Sequence, residues 1–378
     1  MRVAAAVSVP RRSGREPFFA LKPEEMVAFV LRRDPIPAGR LERLRILVML
    51  GRPRTCVPNL VCFALGYSYT GAAASGRMVL GALLACCIGF SANIHNTATD
   101  LDEDSRNLPG RVFLLAKFGY RRLIRFWIAL SILMLLGAIA LGWYFTIFMG
   151  LALVGLHQYS APPVRSKGRP VLGLWVFAQT VVFPFLFGWT TEPGRMLETL
   201  IASAISLAGG GVAPPAEMAW QSWRYLGMWF FVTLWFMAKG AFKNVPDFDG
   251  DKAAGVRTSA TECGSRRTAA VVAAAATVLA YLSLALLVAL GLEKTRVLFA
   301  LVWLVPVTAN CLRLVRAEDG TAANAILRAD MLLSTGFIAS LLLLVSPRGL
   351  SVVMVIVAAL ILFGSDALGL DSRRQADA

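Results

Sequence analysis

Histidine is nearly missing from this chain of 378 residues: His95 and His157 are its two, each at the end of an apolar segment with no acidic partner in sequence. We read both as packed or hydrogen-bonded side chains rather than bases. Cysteine is also sparse, and Cys56, Cys62, Cys86, Cys87, Cys263 and Cys311 show neither CxxC nor His-linked spacing. That argues against a zinc framework or a disulfide scaffold and leaves the thiols as small buried hydrophobes. Walker and dinucleotide glycine motifs are absent, which removes P-loop and Rossmann chemistry. Charged residues make up 16% of the chain, with a basic balance of +15. No nucleic-acid-binding motif accompanies that excess, so no nucleic-acid partner is expected. The opening MRVAAAVSVPRRSGRE has too short an apolar stretch before its arginines to read as a signal peptide.

Apolar length, by contrast, is abundant. Hydrophobic residues reach 57%, and they sit in long blocks rather than in stripes. A block of about 20 apolar residues crosses a hydrocarbon core of ~30 Å as a helix. Such blocks lie near 56–74, 77–97, 120–140, 142–160, 170–190, 224–242, 268–291, 296–314, 328–346 and 349–367, the last two separated by SPRGL. The fold class is therefore an all-α polytopic membrane protein with nine or ten transmembrane helices. Lys and Arg collect before the first block, around 106–122, 165–169, 243–267 and 313–328, and again at Arg373 and Arg374. The positive-inside rule places those segments in the cytoplasm and favours ten spans. Anionic lipid then accounts for the basic excess. Residues 1–50 read as a cytoplasmic segment, partly helical across LKPEEMVAFVLRR, 51–368 as the membrane domain and 369–378 as a tail. The Gly/Pro/Ala-rich stretch 191–223 reads as a loop with a short helix on the opposite side.

Two acidic clusters break this pattern. NTATDLDED (Asn96 to Asp104) and NVPDFDGD (Asn244 to Asp251) each end an apolar block, one in each half of the chain, and a basic loop is expected after each. Residues four apart share a helix face, which stacks Asn96, Asp100 and Asp104. Acids at membrane depth are costly and usually face a cavity, where a bound cation relieves their repulsion. Carboxylate and amide oxygens without nearby His or Cys suit a hard ion, Mg²⁺ above all, completed by substrate phosphates. The metal candidates are Asn96, Asp100, Asp104, Asn244, Asp247 and Asp251; the four aspartates are also the catalytic candidates. Asp102, Glu103 and Asp249 have an equal reading as solvated loop residues. An EF-hand fails at Lys252, where Gly is required, and at Thr258, where Glu is. A transporter using intramembrane acids as an ion relay is a further reading.

Asn96-x-x-x-Asp100-x-x-x-Asp104, YSAPPVRSKG (Tyr159 to Gly168) and FKNVPDFDGDKAAGVRT (Phe242 to Thr258) together resemble the UbiA superfamily of membrane prenyltransferases, over roughly residues 50 to 365. GRPRT (Gly51 to Thr55) also looks like that family's entry to its first span. The resemblance implies a helical bundle around a lipid-open cavity. Mg²⁺ would hold a geranyl, farnesyl or geranylgeranyl diphosphate, and a small aromatic acceptor would capture the prenyl cation. The active site would face the cytoplasm at the cell membrane. Arg111, Lys167, Lys239, Lys243 and Arg257 are the cations nearest the motifs and the candidates for the diphosphate. Asn59, a polar group in the first span, either touches the acceptor or bonds another helix. Asn244 stands where the family commonly has Asp. This departure leaves room for a specialised branch, including members that cyclise an isoprenyl diphosphate without an acceptor.

Overall fold

The computed structural model describes residues 18–192, 204 and 216–372, with the side chains of 216–221 excepted. The stretches 193–203 and 205–215 and the Arg373–Arg374 pair, on which two of the expectations above rest, lie outside the described residues. Within them all regular structure is helical. In chain order the helices are α1 (Pro23–Arg32), α2 (Arg40–Gly51), α3 (Cys56–Ser68), α4 (Gly76–Thr99), α5 (Leu101–Asn107), α6 (Pro109–Phe118), α7 (Tyr120–Leu141) and α8 (Trp143–Ser160). They continue with α9 (Pro170–Thr190), α10 (Ala216–Asn244), α11 (Phe248–Ala253), α12 (Arg266–Ala289), α13 (Leu304–Val315), α14 (Gly320–Val345) and α15 (Gly349–Ala367). A 3₁₀ run, Thr295–Trp303, leads straight into α13.

Each of the ten apolar blocks becomes helix, and eight are long and apolar enough to cross a membrane. The two that fall short are α3 and α8. At 13 residues α3 is roughly 20 Å long at 1.5 Å per residue, short of the hydrocarbon thickness. It is buried along nearly its length and sits at the centre of the bundle, against α4, α9, α14 and α15.

Two glycines make that centre possible. A Cβ on Gly66 would overlap the carbonyl of Phe185, and one on Gly188 would overlap the carbonyl of Phe63. Without a hydrophobic force between helices in lipid, close backbone approach through small residues is a main source of association. Elsewhere Gly119 (φ +97) and Gly142 (φ +118) each join two consecutive helices through a single residue, a conformation that other residues rarely adopt.

The segment after Asp100 differs from the expected basic loop. Residues 101–118 fold as α5 and α6, with Pro109 at the first position of α6, where its missing N–H costs nothing. The sequence PGRVFLLAKF is apolar enough to bury most of α6. Its partner is the N-terminal segment: Phe18, Met26, Val30, Ile46 and Met49 pack with Phe113, Leu115 and Phe118 in a second core. The part of 1–50 that is described is therefore docked on the α5–α6 excursion, and the expected boundary at residue 51 falls on the last residue of α2. The exposed pairs Arg106–Glu24 and Lys117–Glu42, both at 2.7 Å, add little to this contact.

The α3–α9 contact is testable. Gly66→Val or Gly188→Val should abolish the monodisperse detergent-solubilised protein, and Gly66→Ala should lower its stability by roughly 1–3 kcal/mol or more. Gly150→Ala, with nothing near the added carbon, should be neutral. Size-exclusion profiles after heating read all four.

Candidate active site

The two acidic motifs are built alike. In each, a long helix ends, an aspartate stands at the junction, and a short acidic helix follows. Asp100 (φ −101, ψ 27) ends α4 and begins α5; Asp247 (φ −84, ψ 1) precedes α11. The Asn96–Asp100–Asp104 stripe is therefore interrupted at Asp100, although the amides of Asp100 and Asp104 still reach back to Asn96 and Asp100 at 2.9 and 2.7 Å. In the second motif the amide of Asp251 reaches the carbonyl of Asp247 at 2.9 Å. The short helices α5 and α11 meet, with Gly250 so close to the Asn107 side chain that a Cβ there would overlap it.

Asn96, Asp100, Asp104, Asn244, Asp247 and Asp251 all line one cavity of about 290 Å³, together with Arg111, Lys167, Lys239, Lys243 and Asn59. Arg257 does not join them. Its neighbours Val256 and Thr258 face the cavity, while its own side chain is 73% exposed and paired with Glu262 at 2.7 Å.

The cations have distinct attachments. Lys167, on the short turn before α9, donates to Asp100 Oδ1 at 2.6 Å and lies 3.0 Å from Glu103 Oε1. Burial pushes its ammonium toward the neutral form, but Asp100 and Glu103 outweigh this and hold its pKa above the ordinary lysine value. Arg111 is buried in the first turn of α6. It donates to Thr97 Oγ1 at 2.9 Å and to the Asn93 carbonyl at 3.0 Å, and it pairs with Asp104 at 3.0 Å. It thus ties α6 to α4 while neutralising one acid. Lys243 sits 5.4 Å from the ring centre of Phe177 on α9. Lys239 is engaged otherwise: its ammonium meets Asp330 at 2.8 Å, with both side chains buried. The structure thus gives this diphosphate candidate a carboxylate partner of its own.

Glu103 is not the solvated loop residue that one reading allowed. It is 7% exposed, its Oε1 accepts from Arg165 at 2.5 Å, and its buried Oε2 has no hydrogen-bond partner. Asp102 and Asp249 are exposed. Asn59 donates to the Ala85 carbonyl at 3.3 Å, so it bonds another helix while facing the cavity. Asn244 donates to Ser259 Oγ at 3.0 Å, and Asn96 Oδ1 accepts from Ser160 at 3.1 Å. The two histidines lie together, His95 Nε2 to His157 Nδ1 at 3.1 Å, outside the cavity lining.

Among the described residues no three His, Cys, Asp or Glu side chains form a ready-made metal cage. Mg²⁺ does not require one: it binds through one or two carboxylates and keeps its other positions for water and phosphate. An all-oxygen donor set, an orphaned buried Glu103 oxygen and a strained acid at Asp251 fit such an ion. Burial, then the charge of Asp247, push the Asp251 carboxyl up to about 7 against the pull of Lys243 and Lys167.

Several cavity residues escaped the sequence reading. Asp330 is the clearest; it is the one acid in the block 328–346, and that isolation was the available signal. Arg52, Arg54, Asn93, Asn324 and Arg328 also line the cavity. Arg52 is bound by Asp371 at 3.1 Å and Arg54 by Asp366 at 3.3 Å, partners more than 300 positions away that no spacing reveals.

Comparison with known proteins agrees with this architecture. The sequence profile of the UbiA prenyltransferase family matches residues 57–341. A digeranylgeranylglyceryl phosphate synthase of Natronomonas pharaonis is 27% identical over 297 residues, covering 77% of this chain and 94% of the relative. A lycopene elongase/hydratase of Corynebacterium glutamicum is 25% identical over 240 residues, covering 60% and 72%. Among solved structures, a UbiA homologue from Archaeoglobus fulgidus bound to DMAPP and Mg²⁺ shares the fold, with a TM-score of 0.52 at 21% identity over 81% of this chain and 100% of that one. The same homologue bound to GPP and Mg²⁺ gives 0.52 at 20% identity, covering 81% and 99%. This chain is an integral membrane protein of the UbiA prenyltransferase family.

Proposed function

We propose that the protein is a Mg²⁺-dependent prenyltransferase that ionises an isoprenyl diphosphate between its two acidic motifs and delivers the prenyl group to a lipid acceptor. The observation that carries this reading is the convergence of Asp100, Asp104, Asp247 and Asp251 on one cavity that Leu174, Phe177 and Val181 of α9 line with apolar side chains. Asp100, Asp104, Asp247 and Asp251, with Asn96 and Asn244 beside them, would hold the metal. Bound Mg²⁺ supplies charge stabilisation to a leaving diphosphate. Lys167, Lys243 and Arg111 add fixed positive charge around the same oxygens, in a site where water does not screen it. The apolar wall takes the prenyl chain and keeps water from the cation.

Transfer fits the cavity better than cyclisation. A cyclase needs an apolar contour that folds the donor on itself, whereas α14 lines this cavity with Asn324, Arg328, Asp330 and Ser334. Polar groups there suit the head of a second substrate. The small aromatic acceptor expected from sequence finds no support in the relatives, whose names point to a glyceryl phosphate lipid and to lycopene. We take the acceptor to be a hydroxyl-bearing lipid.

Three outcomes test the reading. Asp100→Ala and Asp247→Ala, in folded protein, should each lower pyrophosphate release from geranylgeranyl diphosphate by about 10²-fold or more, and EDTA should abolish it. Full turnover in EDTA, or ion flux in proteoliposomes without any donor consumption, refutes an enzyme of this class. The second outcome concerns pH. The raised Asp251 keeps its proton below about 7, and a bound cation must displace it. Mg²⁺ affinity, measured by calorimetry, should therefore weaken as pH falls from 8 to 6, up to about tenfold per unit below the pKa. The metal-free protein should show the opposite trend, losing stability as pH rises from about 4 to 7, because its folded state binds the extra proton. The third outcome is orientation. A cysteine placed at exposed Arg257, on a cysteine-free background, should resist an impermeant label applied outside intact cells; labelling there would put the site on the other face.

A further inference from the structure

Seven carboxylates line the cavity among the described residues: Asp100, Glu103, Asp104, Asp247, Asp251, Asp330 and Asp371. Five belong to the acidic motifs, and Asp371 is bound by Arg52. Asp330 stands apart from them, within α14, where its cavity-lining neighbours include Leu327, Arg328, Met331 and Ser334. Its Oδ1 accepts from Lys239 Nζ at 2.8 Å, and the two side chains are 4% and 7% exposed. Its Oδ2 has a single long bond, from Ser334 Oγ at 3.4 Å. Aromatic rings surround the ammonium, with Tyr281, Trp235 and Phe242 centred 5.0, 5.6 and 5.7 Å away. A buried ion pair of this kind adds little net stability over apolar packing, and an ionisable pair inside a membrane bundle marks function by default.

We propose that Asp330 is the proton acceptor of the transfer step, an inference that rests on the transferase reading above. Alkylation of a hydroxyl releases a proton that must go somewhere. The donor's C1–O bond breaks and its electron pair leaves on the diphosphate. The acceptor oxygen forms the new bond to C1 with a lone pair, its O–H bond breaks, and the proton passes to Asp330 Oδ2. The products are the prenylated acceptor, diphosphate and one proton. The motif carboxylates are poorly placed for this task, because they must stay deprotonated to hold a cation. Asp330 has none of those duties. Lys239 keeps its charge compensated, and Trp235 and Phe236, which line the same cavity, offer faces that stabilise a carbocation. Base and aromatic faces thus line one cavity.

The test uses the purified full chain with geranylgeranyl diphosphate, Mg²⁺ and geranylgeranylglyceryl phosphate as acceptor probe, reading pyrophosphate release and prenylated product separately. Asp330→Asn should lower transfer by about 10²-fold or more while pyrophosphate release falls by less than about fivefold and donor KM stays within about twofold. Prenyl alcohol should replace the lost product. Asp330→Glu should recover about tenfold of the transfer lost in the amide variant. The double variant Lys239→Met/Asp330→Asn carries no unpaired ammonium, so it folds independently of the lost pairing and should show the same partition. Transfer retained in Asp330→Asn and in the double variant, or transfer and pyrophosphate release falling in parallel in both, overturns the proposal. If the wild-type protein consumes donor yet prenylates neither this acceptor, lycopene nor a small phenol, the transferase reading itself fails and Asp330 falls with it; prenylation of lycopene alone overturns the hydroxyl step and leaves the transferase reading standing.

Discussion

Five acidic side chains from two motifs share one cavity, and their mutual repulsion is the constraint around which this end of the molecule is arranged. In a site of low dielectric such charges cannot stand together uncompensated. Lys167 answers Asp100 and Glu103, and Arg111 answers Asp104. At Asp251 burial first, and then the charge of Asp247, raise the carboxyl to about 7. The loop carrying Lys167, the α5–α6 excursion carrying Arg111 and the docked N-terminal segment that covers α6 all serve to hold those counter-charges in place.

Elsewhere the same requirement is met pair by pair. Lys239 meets Asp330, Arg52 meets Asp371 and Arg54 meets Asp366. Each pair joins segments that are remote in sequence, so each also fastens the bundle. The central helix α3 spans 13 residues. It can be short because α4, α9, α14 and α15 enclose it, and because Gly66 and Gly188 let its backbone approach that of α9.

Much of this was legible from sequence because hydropathy and local spacing carry it. Ten apolar blocks became helices, since in lipid a chain must satisfy its backbone hydrogen bonds within each segment. Both aspartate motifs stand at helix ends, where their spacing put them. The excursion after Asp100 was misread as a loop. The helix α6 within it has ten residues and is too short to span a bilayer, and its partner, the N-terminal segment, is some eighty residues away.

The sequence by itself determined the helical membrane fold, the two acidic motifs and the cations beside them, because each of these depends on residues within a turn or two of one another. The tertiary structure alone decided which cation meets which acid. It turned Arg257 out to solvent, took Lys239 to Asp330, buried Glu103 and brought Asp366 and Asp371 to the arginines of the first span. Those pairings depend on which helices pack side by side and at what rotation. That is settled by close packing across the bundle, which no local spacing encodes.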